Sequence, residues 1–512
     1  MRTTATPSMH SARQRFVRRW ALATALALCL DTAARVPSAA AQPAPSQTPA
    51  PAPVGPSNPN TSLPTPRPGF DKAVAELTRR VTDWGGKLGL SIIDVQSGTP
   101  LAEVNPKLAL NPASTMKLLT AAVLLDRLGA NYRFTTSLHG IRQGTQVNEL
   151  VLRGRGDPSL RTTDLLRMAV SLKNSGVSKV GEILVDQSYF DAQFVPPAFD
   201  QQPNEWAPFR APVSAIALDG NSVTLNVMPS SPGTPASIWF EPEGWVSNTG
   251  QVLTQAANGK QSIGWTLSVG SNTLLSKVSG QVASNLGRQR FRKRVHDPRL
   301  LPGYALQRML RDLGVAVGDR VSEGGTNIEA QLVYSESQPL AALLASLGKD
   351  SDNFYAEMLL KVLGATITAT TGTSAAGSQA IVDWLQQQGA WVPGTHIVNG
   401  SGLFDANRVS AWTLSRTLRA AYLNPRLQPE YLSQLSIAGV DGTLRNRLTA
   451  FAPGRRIRAK TGTLNATVAL SGFFLREGGA SPIAFSLIMD GVAGHHAEIR
   501  QQFDQIVSLL GP

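Results

Sequence analysis

The stretch from Ala113 to Leu128 is apolar almost all the way round and stops at Gly129. That pattern predicts a helix with a glycine stop that is buried on every side rather than along one stripe. The chain is long enough to enclose it, since 512 residues exceed what one compact core usually holds and predict two to four domains. A hydrophobic share of 42% with 16% charged residues is that of a folded protein.

Around this helix the pattern changes along the chain. Folding starts near Phe70, where Ala73, Val74, Leu77 and Val81 follow helical spacing. Leu88–Val95 and Leu101–Val104 predict a hairpin around Ser97-Gly98. From about 135 to 300 the texture becomes short β-like runs, such as Leu150–Leu152, Glu182–Val185 and Ser222–Val227, broken by Gly, Pro and Asn. Helical patterns return at Ala305–Leu313, Leu340–Leu347 and Asn353–Leu363. Three strands, Arg458–Leu464, Thr467–Leu475 and Ile483–Met489, precede a closing helix near Ala497–Leu510. No repeat of solenoid period is present. The simplest architecture is an α/β (α+β) domain built from residues 70–134 and 301–512, interrupted by a β-rich accessory insertion at 135–300. The helix and hairpin at its start then share one sheet with the strands and helix at its end.

The first 41 residues read differently. Arg13, Arg15, Arg18 and Arg19 precede an apolar run from Trp20 to Leu30, and Ala39-Ala40-Ala41 follows. This order predicts a secretory signal peptide cut after Ala41 and a periplasmic mature protein. The apolar run is about half the length a membrane-spanning helix needs; an uncleaved anchor is the alternative. Cys29, the only cysteine, lies inside it after Leu28, where a lipoprotein signal wants a small residue. Removal of the signal would exclude disulfides, a catalytic thiol and cysteine zinc sites together. Residues 42–69 carry ten prolines among Ala, Ser, Thr and Asn, the composition of an extended linker. The net charge is +13, of which the first 41 residues hold six arginines and one aspartate, leaving about +8. Export argues against a nucleic-acid partner and favours peripheral association with acidic wall or membrane surfaces. The densest basic run, Arg288 to Arg294, reads as a solvated face.

Three short motifs carry chemistry. In Ser114-Thr115-Met116-Lys117 the serine and lysine stand one helical turn apart, about 5–6 Å at Cβ. A lysine buried among Met116, Leu118, Leu119, Val123 and Leu124 loses its proton more readily and can take the serine's, and a first-turn serine sits beside helix N–H groups. Ser346-Leu347-Gly348-Lys349 matches the same pattern by accident, because it lies only two residues before the next motif. Ser351-Asp352-Asn353 opens an apolar helix; its serine could relay a proton and its amide orient lysine and substrate, yet all three residue types also suit a helix cap. Lys460-Thr461-Gly462-Thr463 begins a predicted strand, where lysine and two hydroxyls suit a carboxylate; a turn with a glycine bulge is the plainer reading. The six histidines show no H-E-x-x-H spacing, no G-x-S-x-G elbow surrounds Ser114, and no metal or other cofactor is called for.

Taken in this order the three motifs match the S-x-x-K, S-D-N, K-T-G set of penicillin-interacting serine enzymes. The chain resembles the class C low-molecular-mass penicillin-binding proteins, the D-Ala-D-Ala carboxypeptidase/endopeptidases, from about Phe70 to its end. Leu152–Pro158, Ala356-Glu357, Asn399-Gly400-Ser401-Gly402-Leu403 and Gly439–Leu444 share in the resemblance. Asn399 departs from it, since relatives often carry Asp there. Ser351 follows Ser114 by 237 residues, which suits the accessory domains inserted in that family. The resemblance implies a penicillin-binding/β-lactamase-like transpeptidase domain, helices on an antiparallel sheet. It implies Ser114 as nucleophile, Lys117 as base, and Ser351 as proton donor to the leaving amine. Asn353 would orient the peptide, Lys460, Thr461 and Thr463 would receive the carboxylate, Gly462 would let substrate lie close, and the N–H groups of Ser114 and Thr463 would hold the oxyanion. Its partners would be peptidoglycan stem peptides and β-lactam antibiotics. A β-lactamase and a catalytically idle wall-binding protein are the alternatives; the long gap argues against the first and three intact motifs against the second.

Overall fold

The computed structural model describes residues 64–270 and 273–511. The signal expected at 1–41, with Cys29, and residues 42–63 of the expected linker lie outside the described residues. Helix α1 (Phe70–Asp83) buries Phe70, Leu77 and Val81. It leads into an antiparallel hairpin of β1 (Lys87–Asp94) and β2 (Pro100–Val104), where Gly98 takes a φ of 73° that a side chain would disfavour. A 3₁₀ turn, Ala113–Met116, feeds α2 (Lys117–Leu128), capped by Gly129 at φ 80°.

The carboxy-terminal part supplies α3 (Asn353–Thr368), a short strand β3 (Ser436–Ile437), then β4 (Ile457–Leu464), β5 (Thr467–Phe474), β6 (Ile483–Asp490) and the closing helix α4 (His496–Ser508). The strands join in the order β3-β4-β5-β6-β1-β2, so the amino-terminal hairpin completes a carboxy-terminal antiparallel sheet. Both faces of this sheet are buried. Leu88, Leu90 and Ile92 of β1 share one core with Leu470, Phe485 and residues of α1 and α4. Ile93, Ala469, Phe473 and Ile488 belong to another core with α2, as the two-residue alternation of strands requires. Each large apolar side chain so enclosed contributes about 1.5–3 kcal/mol. Every residue of α2 from Lys117 to Leu125 is buried. The helices Leu340–Gly348, α3, Ser374–Gln387 and Ala411–Leu423 all pack against it.

Between the two parts lies a mixed sheet of Thr135–His139, Gln146–Gly154 and Lys179–Asp186, with two smaller sheets from Ser222 to Arg294. This region is less purely β than its texture suggests. Thr162–Asn174 is a helix whose Leu165, Met168, Ala169 and Leu172 recur at helical spacing and are buried against the mixed sheet. Residues beyond 300 also belong here by their pairing. Gln331–Glu336 pairs with Thr135–His139, Val321–Glu323 pairs with Lys179–Asp186, and helix Leu301–Asp312 lies over the same strands. The accessory sheets therefore run to Glu336 rather than stopping at 300.

Two of the five cations in the basic run turn inward. Arg294 donates to the carbonyls of Glu205 and Pro203 and stacks over Trp206, and Lys293 donates to the Trp265 carbonyl, so these cations hold the strand in place. No helix among the described residues is long and apolar enough to cross a membrane.

Candidate active site

Ser114 sits on the 3₁₀ turn where the backbone enters α2. Asn111 Oδ1 accepts from the Ala113 N–H at 3.0 Å and holds Ala113 at a left-handed φ of 46°. The turn leaves Ser114 partly exposed and draws Thr115, Met116 and Lys117 inside. Lys117 Nζ then has three neighbours at hydrogen-bond distance: Ser114 Oγ at 3.1 Å, Asn353 Oδ1 at 2.8 Å and the Ser401 carbonyl at 2.7 Å. The last two can only accept. A neutral amine has two N–H groups and one lone pair. With both N–H groups taken, the lone pair faces the serine hydroxyl. Burial pushes Lys117 down to about 7, against the opposing pull of Glu357 and Asp352.

The second motif divides its labour. Asp352 is a helix cap, accepting from the Tyr355 N–H at 3.2 Å. That leaves Ser351, at φ 59°, and Asn353 to face the cleft from either side of it. Asn353 Nδ2 also donates to the Phe209 carbonyl of the inserted region at 3.4 Å, so the amide's orientation is set from two sides.

The third motif lies on β4. β3 pairs only with Arg458 and Ala459, so from Lys460 onward the outer edge has no neighbouring strand among the described residues. Lys460 Nζ, fully buried, donates to Ser351 Oγ at 2.7 Å and to the Thr461 carbonyl at 2.9 Å. Burial and the nearby Lys117 hold it well below the ordinary lysine range. Thr461 Oγ1 donates to Thr443 Oγ1 at 2.8 Å, and Arg500 of α4 reaches Thr463 Oγ1 at 3.2 Å. Gly462 passes close to the nucleophile's turn; a Cβ there would lie 2.9 Å from the Pro112 carbonyl oxygen. A strand bulge is not what the glycine provides, since the β4–β5 register runs unbroken from Ile457 to Leu464.

All eight residues singled out in the sequence thus converge, linked as Ser114–Lys117–Asn353 and Ser351–Lys460. The accidental match stays apart: Lys349 forms an ion pair with Asp441, and the Ser346 carbonyl accepts from the Asp352 N–H. Two contributors carried no signal of their own: the Phe209 carbonyl, a backbone group that no side-chain pattern reveals, and Arg500, on a helix remote in sequence. Ser401 lies in the Asn399–Leu403 run already singled out, though nothing there showed that its carbonyl would reach Lys117. Asn399, the departure from the family pattern, is buried and ties its loop together by accepting from Gly402 N–H and Asn407 Nδ2, each at 2.9 Å.

The model of the D-Ala-D-Ala carboxypeptidase 3 (S13) family matches residues 71–510. A D-alanyl-D-alanine carboxypeptidase of Actinomadura sp. (strain R39) is 32% identical over 431 residues, covering 80% of this chain and 79% of that one. The D-alanyl-D-alanine carboxypeptidase DacB of Haemophilus influenzae is 25% identical over 426 residues, covering 82% and 88%. The crystal structure of penicillin binding protein 4 from Haemophilus influenzae superposes with a TM-score of 0.70 at 23% identity, over 86% of this chain and 99% of that one. The same protein complexed with a β-lactam gives 0.66 at 24% identity, over 85% and 97%.

Proposed function

The chain belongs to the D-Ala-D-Ala carboxypeptidase 3 (S13) family, and we propose that Ser114 and the groups around it carry out that family's hydrolysis through an acyl-enzyme. It is a serine-type D-Ala-D-Ala carboxypeptidase, a peptidase hydrolase of the penicillin-binding class. The observation that carries the mechanism is the set of three partners around Lys117 Nζ.

Neutral Lys117 takes the Ser114 proton as Oγ attacks the carbonyl carbon of the penultimate D-alanine. The N–H groups of Ser114 and of Thr463, on the open edge of β4, hold the oxyanion that forms. The C–N bond breaks as the terminal D-alanine's amine receives a proton through Ser351. Because Ser351 Oγ accepts from Lys460, its own hydrogen is free to point into the cleft. The proton gained by Lys117 replaces the one Ser351 gives up. Lys460, Thr461 and Thr463, with Arg500 alongside, receive the terminal carboxylate, and Asn353 orients the peptide. Water then attacks the ester, returning the hydroxyl to Ser114.

The substrate is the stem peptide of peptidoglycan. A β-lactam, which presents a strained amide and a carboxylate at the same separation, acylates Ser114; a relative with this fold has been crystallised with one bound. We place the enzyme outside the cytoplasm, in the periplasm, on the strength of its substrate and its leader sequence. Residues 135–336 form an accessory unit inserted into the catalytic one, which comprises 70–134 and 337–511.

Labelling the full-length protein with a fluorescent penicillin and mapping the adduct should place it on Ser114. An adduct elsewhere, or full labelling of Ser114→Ala, would overturn the mechanism. Rapid turnover of the drug without a lasting adduct would move the activity to a β-lactamase. Mass analysis of products from defined muropeptides reads out whether cross-links are cut in addition to terminal D-alanine.

A further inference from the structure

One buried charge beside the site has no part in the steps above. Glu357 lies four residues after Asn353 on α3, hence on the same face, and is fully buried. Its Oε1 accepts from the Ser401 N–H at 2.8 Å and its Oε2 from the Gly400 N–H at 3.3 Å. The carbonyl of that same Ser401 is one of the two fixed acceptors of Lys117 Nζ; Asn353 is the other. The loop has little freedom to supply this carbonyl from another position. Gly402, at φ 73°, runs so near the nucleophile's turn that a Cβ would lie 1.9 Å from the Ala113 carbonyl oxygen.

We propose that Glu357 is a positioning residue: it holds the Gly400–Ser401 amides so that the Ser401 carbonyl aims the Lys117 lone pair at Ser114, and its buried charge steadies the ammonium that forms. One turn of α3 thereby sets both acceptors, directly through Asn353 and through the loop by Glu357. The adjacent cation on α3 does not cancel this charge, because Lys361 is paired with Asp191 at 2.5 Å and bonded to the Gln193 carbonyl at 2.7 Å. The charged groups facing Lys117 are few. Glu357 and Asp352, both from α3 and its cap, favour the protonated amine, and a charge on Lys117 in turn disfavours one on Lys460 of β4. Burial holds the Glu357 carboxyl above the ordinary carboxylate range, opposed in part by the Ser401 and Gly400 hydrogen bonds and by the Lys117 charge.

This inference rests on Lys117 being the base, and one experiment separates the two. Acylation by fluorescent penicillin is followed from pH 5 to 9 for the full-length protein and for Glu357→Gln, Glu357→Asp and Lys117→Ala, with thermal unfolding as a check on folding. Glu357→Gln places a donor against a backbone N–H, so the plateau should fall on the order of 10²-fold. Its acid limb should also move to lower pH, because the ammonium has lost a favourable neighbour. Glu357→Asp keeps the charge and so keeps the limb, while its shorter side chain lets the loop shift and lowers the plateau. A purely structural glutamate would reduce the amount of active protein without moving the limb in either variant. An unmoved limb in folded Glu357→Gln overturns the proposal, as does a wild-type plateau in Glu357→Asp. Should Glu357→Gln fail to fold, the Asp variant alone decides by its plateau. Full labelling of Lys117→Ala instead overturns the base reading itself.

Discussion

Acylation of Ser114 should depend on pH with an acid limb near neutrality. Burial brings Lys117 from 10.5 down to about 7, a displacement that corresponds to roughly 5 kcal/mol of disfavoured ammonium. The sign follows from the chemistry: only the neutral amine can accept the serine proton, so the rate is full above the folded pKa and lost below it. About 1% of the amine is neutral at pH 5, and the rate there should be about 100-fold below its value at pH 9. An ordinary exposed lysine would instead give a rate still climbing at pH 9. The assay is the second-order rate of labelling by a fluorescent penicillin, whose carboxylate stays ionised throughout. Lys117→Arg preserves the positive charge but never becomes a base, so it should stay about 10²–10⁴-fold below the wild-type plateau at every pH and show no limb. A rate independent of pH from 5 to 9, or an acid limb that survives in Lys117→Arg, would refute the assignment.

Ser346→Ala should acylate at the wild-type rate, since the side chain of this accidental motif touches none of the converging groups; labelling shows the result directly. Asn353→Ala removes one fixed acceptor of Lys117 and a contact with the inserted region, so peptide hydrolysis by the folded variant should slow by about 10²-fold, as measured by release of D-alanine.

Much of this molecule is legible in its sequence, and the reason lies in periodicity. The helix at 113–128 is apolar on all sides, so it had to lie at the centre, and it does. The three last strands and the first hairpin alternate or run apolar throughout, which marks them as strands; their shared sheet followed from placing both ends of the chain in one domain, and they pair in one. The helix at Thr162–Asn174 was obscured because its stripe of Leu165, Met168, Ala169 and Leu172 is interrupted by polar residues and sits among strands. The strands from Val321 to Glu336 are hidden for a different reason: they return to a sheet begun nearly 200 residues earlier, and pairing between distant segments leaves no local mark. The same division holds at the site. Side chains announce themselves at fixed spacings, as Ser114 and Lys117 do, whereas the Ser401 and Phe209 carbonyls are chosen by the fold alone.

That choice of backbone groups explains where the strained residues fall. Ala113 at φ 46° and Ser351 at φ 59° flank the cleft in a region that non-glycine residues enter at a cost of about 1–3 kcal/mol each. Neither is needed to form a helix. Each is needed to begin one abruptly, so that a hydroxyl leaves the backbone at the helix mouth while the lysine or amide follows within the next turn. Local bonds offset the cost: Asn111 Oδ1 restrains Ala113, and the Asp352 N–H, donating to the Ser346 carbonyl, restrains Ser351 from its far side. The accidental motif therefore has a structural use. Its lysine binds Asp441 beside Thr443, which accepts from Thr461, so the helix before the second motif also braces the strand that carries the third. Ser351 is tied to β4 directly through Lys460, and the contact of Lys349 with Asp441 adds a second tie between the same two elements, one that sequence spacing would discard.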